Sequence, residues 1–223
     1  MTSFAPEPAH VTELRRQLSR WVADRMPREK RREWDKAHTW DRALFKELAE
    51  MGLIGLTIPE EYGGQGEDIY AAAAVIEELC QGGPSMAGPF IHAAFYGGLN
   101  ISENGSKEQK ETLLPKLARG EMFLCYGLSE PNVGGDLPSV ETRVTREGDE
   151  IVINGAKRWC TGADWSDYIY CLCRSGGPED RHGNLTFVLV PTNAPGVSMQ
   201  PLEHANLRYT DSMDVFLDDV RLP

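Results

Sequence analysis

Apolar residues in the first half of the chain recur at helical spacing. Val11, Leu14, Leu18, Trp21 and Val22 share one face of a first helix. A charged stretch from Arg28 to Asp35 reads as an exposed helix end or loop. Thr39 can cap a second helix, with Leu44, Phe45, Leu48 and Met51 as its stripe and Gly52 as its stop. Asp68 can cap a third, whose apolar face is Ile69, Ala72, Ala73, Ile76, Leu79 and Cys80, ended by Gly82, Gly83 and Pro84. Met86 to Ile101 reads as a buried helix. Ser106 and Gln109 form a capping box for a last helix running towards Pro115.

The pattern changes near Phe123. Thr142 to Arg146 and Ile151 to Ile153 read as strands joined by a turn at Glu147-Gly148-Asp149. Asn154-Gly155 signals a further tight turn. Arg158 to Thr161, Tyr168 to Arg174, Leu185 to Val190 and Val215 to Leu222 follow as strands, with Ser175 to Gly183 as a polar loop. The expected fold is α+β: an all-helical domain over 1–122, then an antiparallel β-barrel or sandwich over 123–223.

Composition narrows the function little. The 223 residues are 41% hydrophobic and 26% charged, which suits a globular core without disulfides or metals. A net charge of −11 lacks the basic footprint that nucleic-acid binding needs. There is no apolar run of membrane-spanning length and no signal pattern at the N-terminus, so a cytoplasmic protein is expected. Cys80, Cys125, Cys160, Cys171 and Cys173 are odd in number and contain no CxxC. They read as small buried hydrophobes rather than a disulfide framework or zinc site, with Cys171 and Cys173 on one face of a strand.

Three motifs carry candidate chemistry. Pro59-Glu60-Glu61-Tyr62-Gly63-Gly64-Gln65-Gly66 permits a compact turn and reads as a structural loop. In Tyr126-Gly127-Leu128-Ser129-Glu130-Pro131-Asn132-Val133-Gly134-Gly135-Asp136, small residues let backbone N–H groups approach a phosphate. The same run could simply be a glycine turn closing a β domain. It is not the GxGxxG of a βαβ nucleotide site. In Asn154 to Ala163, Trp159 and Thr161 stand two apart on a strand. An indole beside a hydroxyl suits a flat heterocycle, although a Trp buried in the β core gives the same pattern.

Together these motifs resemble the acyl-CoA dehydrogenase family, with its P-x-x-Y-G-G-x-G loop, T-E-P-x-x-G-S-D segment and N-G-x-K-x-W-I-T strand. Gly105 to Lys110 leading to Leu114-Pro115, Arg208 to Ser212 and Phe216 to Val220 fit as well. The likeness runs from about residue 11 to the end.

The resemblance implies FAD as cofactor. It places Tyr126, Leu128 and Ser129 at the flavin edge, Gly134 and Gly135 near the pyrophosphate, and Trp159 beside the ring. Thr161 would bond near flavin N5, and Cys160 would offer backbone contacts. Phe90, His92, Phe95 and Tyr96 fall on a helix lining the acyl cavity, and their bulk favours a short, branched or cyclic acyl group; Gly135 is also near substrate. Two positions depart from the family pattern. Gly135 replaces the usual Ser, removing a hydroxyl, and Ser129 replaces Thr with the same bonding capacity.

The implied reaction is α,β-dehydrogenation of an acyl-CoA, with an electron-transferring flavoprotein as acceptor and a homo-oligomer at full length. The family's catalytic glutamate lies in a C-terminal helical domain, so the base is expected beyond Pro223. The 223 residues alone are expected to be inactive, and no catalytic residue is assigned among them. A related flavin oxidase or monooxygenase, and a non-catalytic chain binding acyl-CoA or a partner, remain alternatives.

Overall fold

The computed structural model describes residues 6–39, 41–66, 68–177, 179–205 and 210–223. They form two compact units, one over residues 6–122 and one over 123–205 with 210–223. The sequence expectation for Arg208 and Tyr209 lies outside the described residues.

The first unit is helical. Helix α1 (Ala9–Arg25) buries Val11, Leu18 and Val22, as its periodicity requires. Helix α2 (Arg28–Ala37) buries nothing. It is a complete exposed helix of good helix formers rather than a helix end or loop, and His38 closes it in the left-handed conformation. Helix α3 (Arg42–Glu50) is capped by Asp41, whose side chain accepts from the Ala43 N–H at 2.9 Å, and not by Thr39. Thr39 instead belongs to the closure of α2, its N–H bonding the Trp34 carbonyl.

Helix α4 (Ile69–Gln81) is capped by Asp68, as expected. Its buried stripe is Ala71, Ala72, Ala74, Val75 and Leu79; Ile69, Ala73 and Cys80 are exposed. A run of four alanines defines no apolar face, so the predicted phase slipped. The expected single helix over Met86 to Ile101 is a continuous run of three segments. These are α5 (Pro84–Ile91), a π-helical stretch His92–Leu99, and α6 (Asn100–Asn104). Helix α7 (Lys107–Ala118) carries the predicted capping box and continues past Pro115.

The second unit is one curled seven-stranded sheet in the order β1-β4-β2-β3-β7-β6, with β5 on the other edge of β4. The strands are β1 (Leu124–Gly127), β2 (Arg143–Glu147), β3 (Glu150–Thr161), β4 (Tyr168–Arg174), β5 (Leu185–Pro191), β6 (Val197–Pro201) and β7 (Ser212–Leu222). The sheet is mixed rather than wholly antiparallel: β1 and β2 both run parallel to β4. The long connections between these strands permit that direction, which a hairpin would forbid. Its core gathers Cys125, Ile153, Cys160, Ile169, Cys171, Cys173, Val190 and Val215, so four of the five thiols are buried as small hydrophobes.

Asn154-Gly155 is not a turn. Strand β3 runs through it, pairing with β2 from Glu150 to Asn154 and with β7 from Ile151 to Thr161, with a register shift against β7 between Ile153 and Gly155. Gly155 has φ 152°, and a Cβ there would sit 2.6 Å from Thr142 Cα. The extra residue of the shift lies on β7, where Asp218 and Asp219 stand opposite Asn154, and the glycine serves the close backbone approach to Thr142.

Candidate functional site

The second and third motifs meet in the sheet unit. Strand β1 delivers Tyr126, and the chain leaves it through Leu128, Ser129 and Glu130. These are fastened from β3. The fully buried Lys157 donates from Nζ to the Leu128 carbonyl at 3.2 Å and to Glu130 Oε1 at 2.8 Å. The Arg158 N–H donates to the Ser129 carbonyl at 2.8 Å.

Glu130, only 7% exposed, also accepts from the Glu141 N–H at 2.6 Å and the Thr142 N–H at 2.9 Å. Burial alone would raise its carboxyl. The donors from Lys157, Thr142 and Glu141 outweigh burial and hold it below the ordinary carboxylate range. Glu130 is thus a structural clasp. Lys157 was within the third motif, but sequence reasoning gave it no role.

Beyond the clasp, Glu130 and Val133 exchange backbone bonds around Pro131-Asn132. Gly134 and Gly135 follow, both exposed, with ordinary φ and nothing within 4 Å of where a Cβ would stand. Val133, Val140 and Leu172 pack beneath, with Leu128, Leu137 and Leu185 against them.

Strand β3 carries a second irregularity. The register shifts between Lys157 and Cys160, so Arg158 and Trp159 together face Asp214 of β7. Trp159 adopts φ 63°, rare for a bulky residue, and its side of the strand is turned outward; the residue is 57% exposed. That overturns the alternative of a Trp buried in the β core. The Arg158 guanidinium lies 5.4 Å from the indole centroid and 3.3 Å from Asp214 Oδ1. Cys160 is buried, its thiol pushed up by desolvation. Thr161 is half-buried, its Oγ1 2.7 Å from Ser212 Oγ. Trp159, Cys160 and Thr161 are exposed, buried and half-buried in turn.

Tyr126 starts a feature the sequence did not reveal. Its ring stacks on Tyr170 at 5.5 Å, and Tyr170 stacks on Phe187 at 4.4 Å. Tyr126 and Tyr170 are register partners on β1 and β4. The visible signal was an aromatic at alternate positions of β4, but its cross-strand partners depend on register.

The remaining expected residues belong to the helical unit. Phe90 is fully buried and meets Phe95 edge-on at 6.4 Å. His92 is buried and lies 5.0 Å from the Tyr96 ring. His92, Phe95 and Tyr96 fall in the π-helical stretch, a local widening common at functional sites. The buried Thr57 hydroxyl donates to the Ala94 carbonyl inside that stretch.

Comparison with known proteins accounts for both units. Residues 8–121 match the model of the acyl-CoA dehydrogenase N-terminal domain, and residues 125–220 match that of the acyl-CoA dehydrogenase middle domain. The probable acyl-CoA dehydrogenase YngJ of Bacillus subtilis is 33% identical over 85% of this chain and 50% of its own length. Acyl-CoA dehydrogenase FadE12 of Mycobacterium tuberculosis is 32% identical over 100% of this chain and 56% of its own. A glutaryl-CoA dehydrogenase from Mycobacterium smegmatis, solved in complex with FADH2, superposes with a TM-score of 0.85 at 26% identity, covering 97% of this chain and 54% of that one. The chain therefore spans about half the length of the relatives it matches. With a helical unit and a mixed-sheet unit each matched by its own model, in order and nearly end to end, this chain belongs to the acyl-CoA dehydrogenase family.

Proposed function

We propose that this chain supplies the flavin-holding part of an FAD-dependent acyl-CoA dehydrogenase. The observation carrying this reading is the outward Trp159 in a left-handed bulge, beside the paired hydroxyls of Thr161 and Ser212. Among the described residues, the Arg158 guanidinium is the charged group over the indole. Held strain and an exposed flat ring are understandable where a planar ligand stacks.

These residues fit FAD. Trp159 would flank the ring, Thr161 would bond near N5, Tyr126, Leu128 and Ser129 would border the ring edge, and Cys160 would offer backbone contacts only. Gly134 and Gly135 would leave room for the pyrophosphate, and Gly135 also for substrate. When bound, FAD supplies a hydride acceptor for the substrate's β-carbon. The chain's own part is to orient the ring against the substrate and to keep the face dry.

Glu130 is not the base for the α-proton: its oxygens are engaged by Lys157, Glu141 and Thr142. We assign the base to the part of the whole protein beyond Pro223. Phe90, His92 and Phe95 would shape the acyl cavity for a short, branched or cyclic group, with Phe90 acting from behind Phe95. An electron-transferring flavoprotein would take the electrons from a homo-oligomeric, cytoplasmic enzyme.

The test is anaerobic mixing of the purified full-length protein with a panel of acyl-CoA thioesters. Bound flavin whose visible absorbance bleaches, with formation of the enoyl-CoA, is the expected result. Purification without flavin, or flavin that no thioester bleaches, would overturn the reading. Rapid recovery of colour in air would point to an oxidase instead. A His92→Ala or Phe95→Ala variant should shift preference towards longer acyl chains.

A further inference from the structure

Two hydroxyls face each other across the β3–β7 ladder, where Thr161 and Ser212 are register partners. Their oxygens are 2.7 Å apart, and either can be the donor. Ser212 has both backbone groups engaged elsewhere: its N–H donates to His204 Nε2 at 3.4 Å and its carbonyl accepts from the Leu202 N–H at 2.8 Å. The Asp211 carbonyl beside it accepts from the Gly162 N–H at 2.8 Å, and Cys160 pairs with Met213 on the other side, so the ladder flanks the pair at both ends. Among the described residues each hydroxyl has the other as its side-chain partner. Two hydroxyls carry two protons, and the bond between them uses one. One O–H is therefore left to serve something outside the sheet, and it can be presented by either oxygen.

We propose that Ser212 is a positioning residue that lets Thr161 act as donor to one redox state of the flavin and acceptor to the other. The proposal rests on the reading that Thr161 faces flavin N5. Oxidised flavin offers a lone pair at N5, and reduced flavin offers an N–H. Facing the lone pair, Thr161 donates outward and accepts from Ser212. Facing the N–H, Thr161 accepts outward and donates to Ser212. Ser212 is both the donor that supports the first arrangement and the acceptor that completes the second. Without it, the first arrangement loses only an acceptor's second partner. The second leaves a half-buried O–H donor unsatisfied, which costs more. Removal of the Ser212 hydroxyl should therefore weaken the reduced state selectively.

The experiment measures the flavin midpoint potential of the full-length holoprotein for wild type, Ser212→Ala, Ser212→Thr, Thr161→Ala and the double alanine variant. Ser212→Ala is expected to lower the equilibrium constant for reduction about tenfold, which is a midpoint about 30 mV more negative for a two-electron couple. Ser212→Thr, which keeps the hydroxyl, should restore the wild-type potential. The serine change should have little further effect once Thr161 is alanine, because its action runs through that residue.

A Ser212→Ala potential equal to wild type, or an equal shift in the Thr161→Ala background, overturns the relay while leaving flavin binding intact. Wild-type protein that binds no flavin overturns the underlying reading, and the relay with it. Should Ser212→Ala fail to fold, Ser212→Cys with its poor hydrogen-bonding thiol takes its place, and a wild-type potential there counts against the relay.

Discussion

Two loops of the molecule carry adjacent glycines for opposite reasons. In Pro59 to Gly66 the glycines are demanded from inside. A Cβ on Gly64 would collide with the Ile58 carbonyl, and Gly63 has φ 84°. The loop closes on itself through the Gly66 N–H to the Ile58 carbonyl at 3.1 Å and the Gln65 N–H to the Gly55 carbonyl at 2.9 Å. In Leu128 to Asp136, Gly134 and Gly135 have ordinary φ and open space around them. That loop is fastened not by its glycines but by Glu130 and Lys157 beneath it. A glycine required by its own fold is structural. A glycine the fold does not require is free to serve a visitor, which under the proposed function is a phosphate approaching closely.

The largest effect should come from the fastening of the second loop. Glu130→Ala leaves the fully buried Lys157 ammonium without its counter-charge and should cost about 3–5 kcal/mol by denaturant unfolding. A Glu130→Leu/Lys157→Met double variant removes both charges and should cost clearly less. Equal losses in the single and double variants would mean that packing, not the ion pair, holds the loop.

Next in size is the first loop. Gly64→Ala forces the 55–66 turn away from the Ile58 carbonyl and should cost about 1–3 kcal/mol, as overpacking does. Thermal unfolding followed by circular dichroism would register it. A silent Gly64→Ala would show that the loop yields easily, and the contrast between the loops would lose its first half.

How readable these features were in the sequence follows from how local they are. Asp68 and the Ser106–Gln109 box were legible because a side chain caps backbone three residues away. Gly155 was misread because a close backbone approach and a hairpin turn both ask for glycine, and only the neighbour, Thr142, distinguishes them. The alanines of α4 could not report which way they faced. At the site, the spacing placed Trp159 and Thr161 on one strand but not the bulge that turns Trp159 outward. The Lys157–Glu130 clasp, the Thr161–Ser212 pair and the Tyr126–Tyr170–Phe187 stack were not. Each joins residues on different elements, and each depends on register.

A smaller, graded effect should appear with pH. Glu130 is held below its ordinary range when folded, so its contribution is complete above the unfolded carboxylate value, about 4.3. It is lost as pH falls through the lower folded value. Wild type should therefore lose stability on acidification faster than Glu130→Gln, which cannot titrate there. Unfolding free energies for the two proteins between neutral and acidic pH check this. Parallel curves would mean that the Glu130 carboxyl titrates alike folded and unfolded.

The smallest effect on stability should come from Gly134 and Gly135. An alanine at either site meets no neighbour and no forbidden φ, so unfolding should shift by no more than about 0.5 kcal/mol. The same changes, and Gly135→Val more than Gly135→Ala, should weaken FAD binding by the full-length protein, read from flavin released on dilution. Stability unchanged with FAD retention reduced is the pattern of a glycine kept for a ligand. Stability reduced as much as by Gly64→Ala would make the two loops alike and remove the reason for placing the pyrophosphate at the second. FAD retention unchanged in Gly135→Val would leave that loop an ordinary surface turn, with Trp159 and Thr161 holding the flavin from the ring end alone.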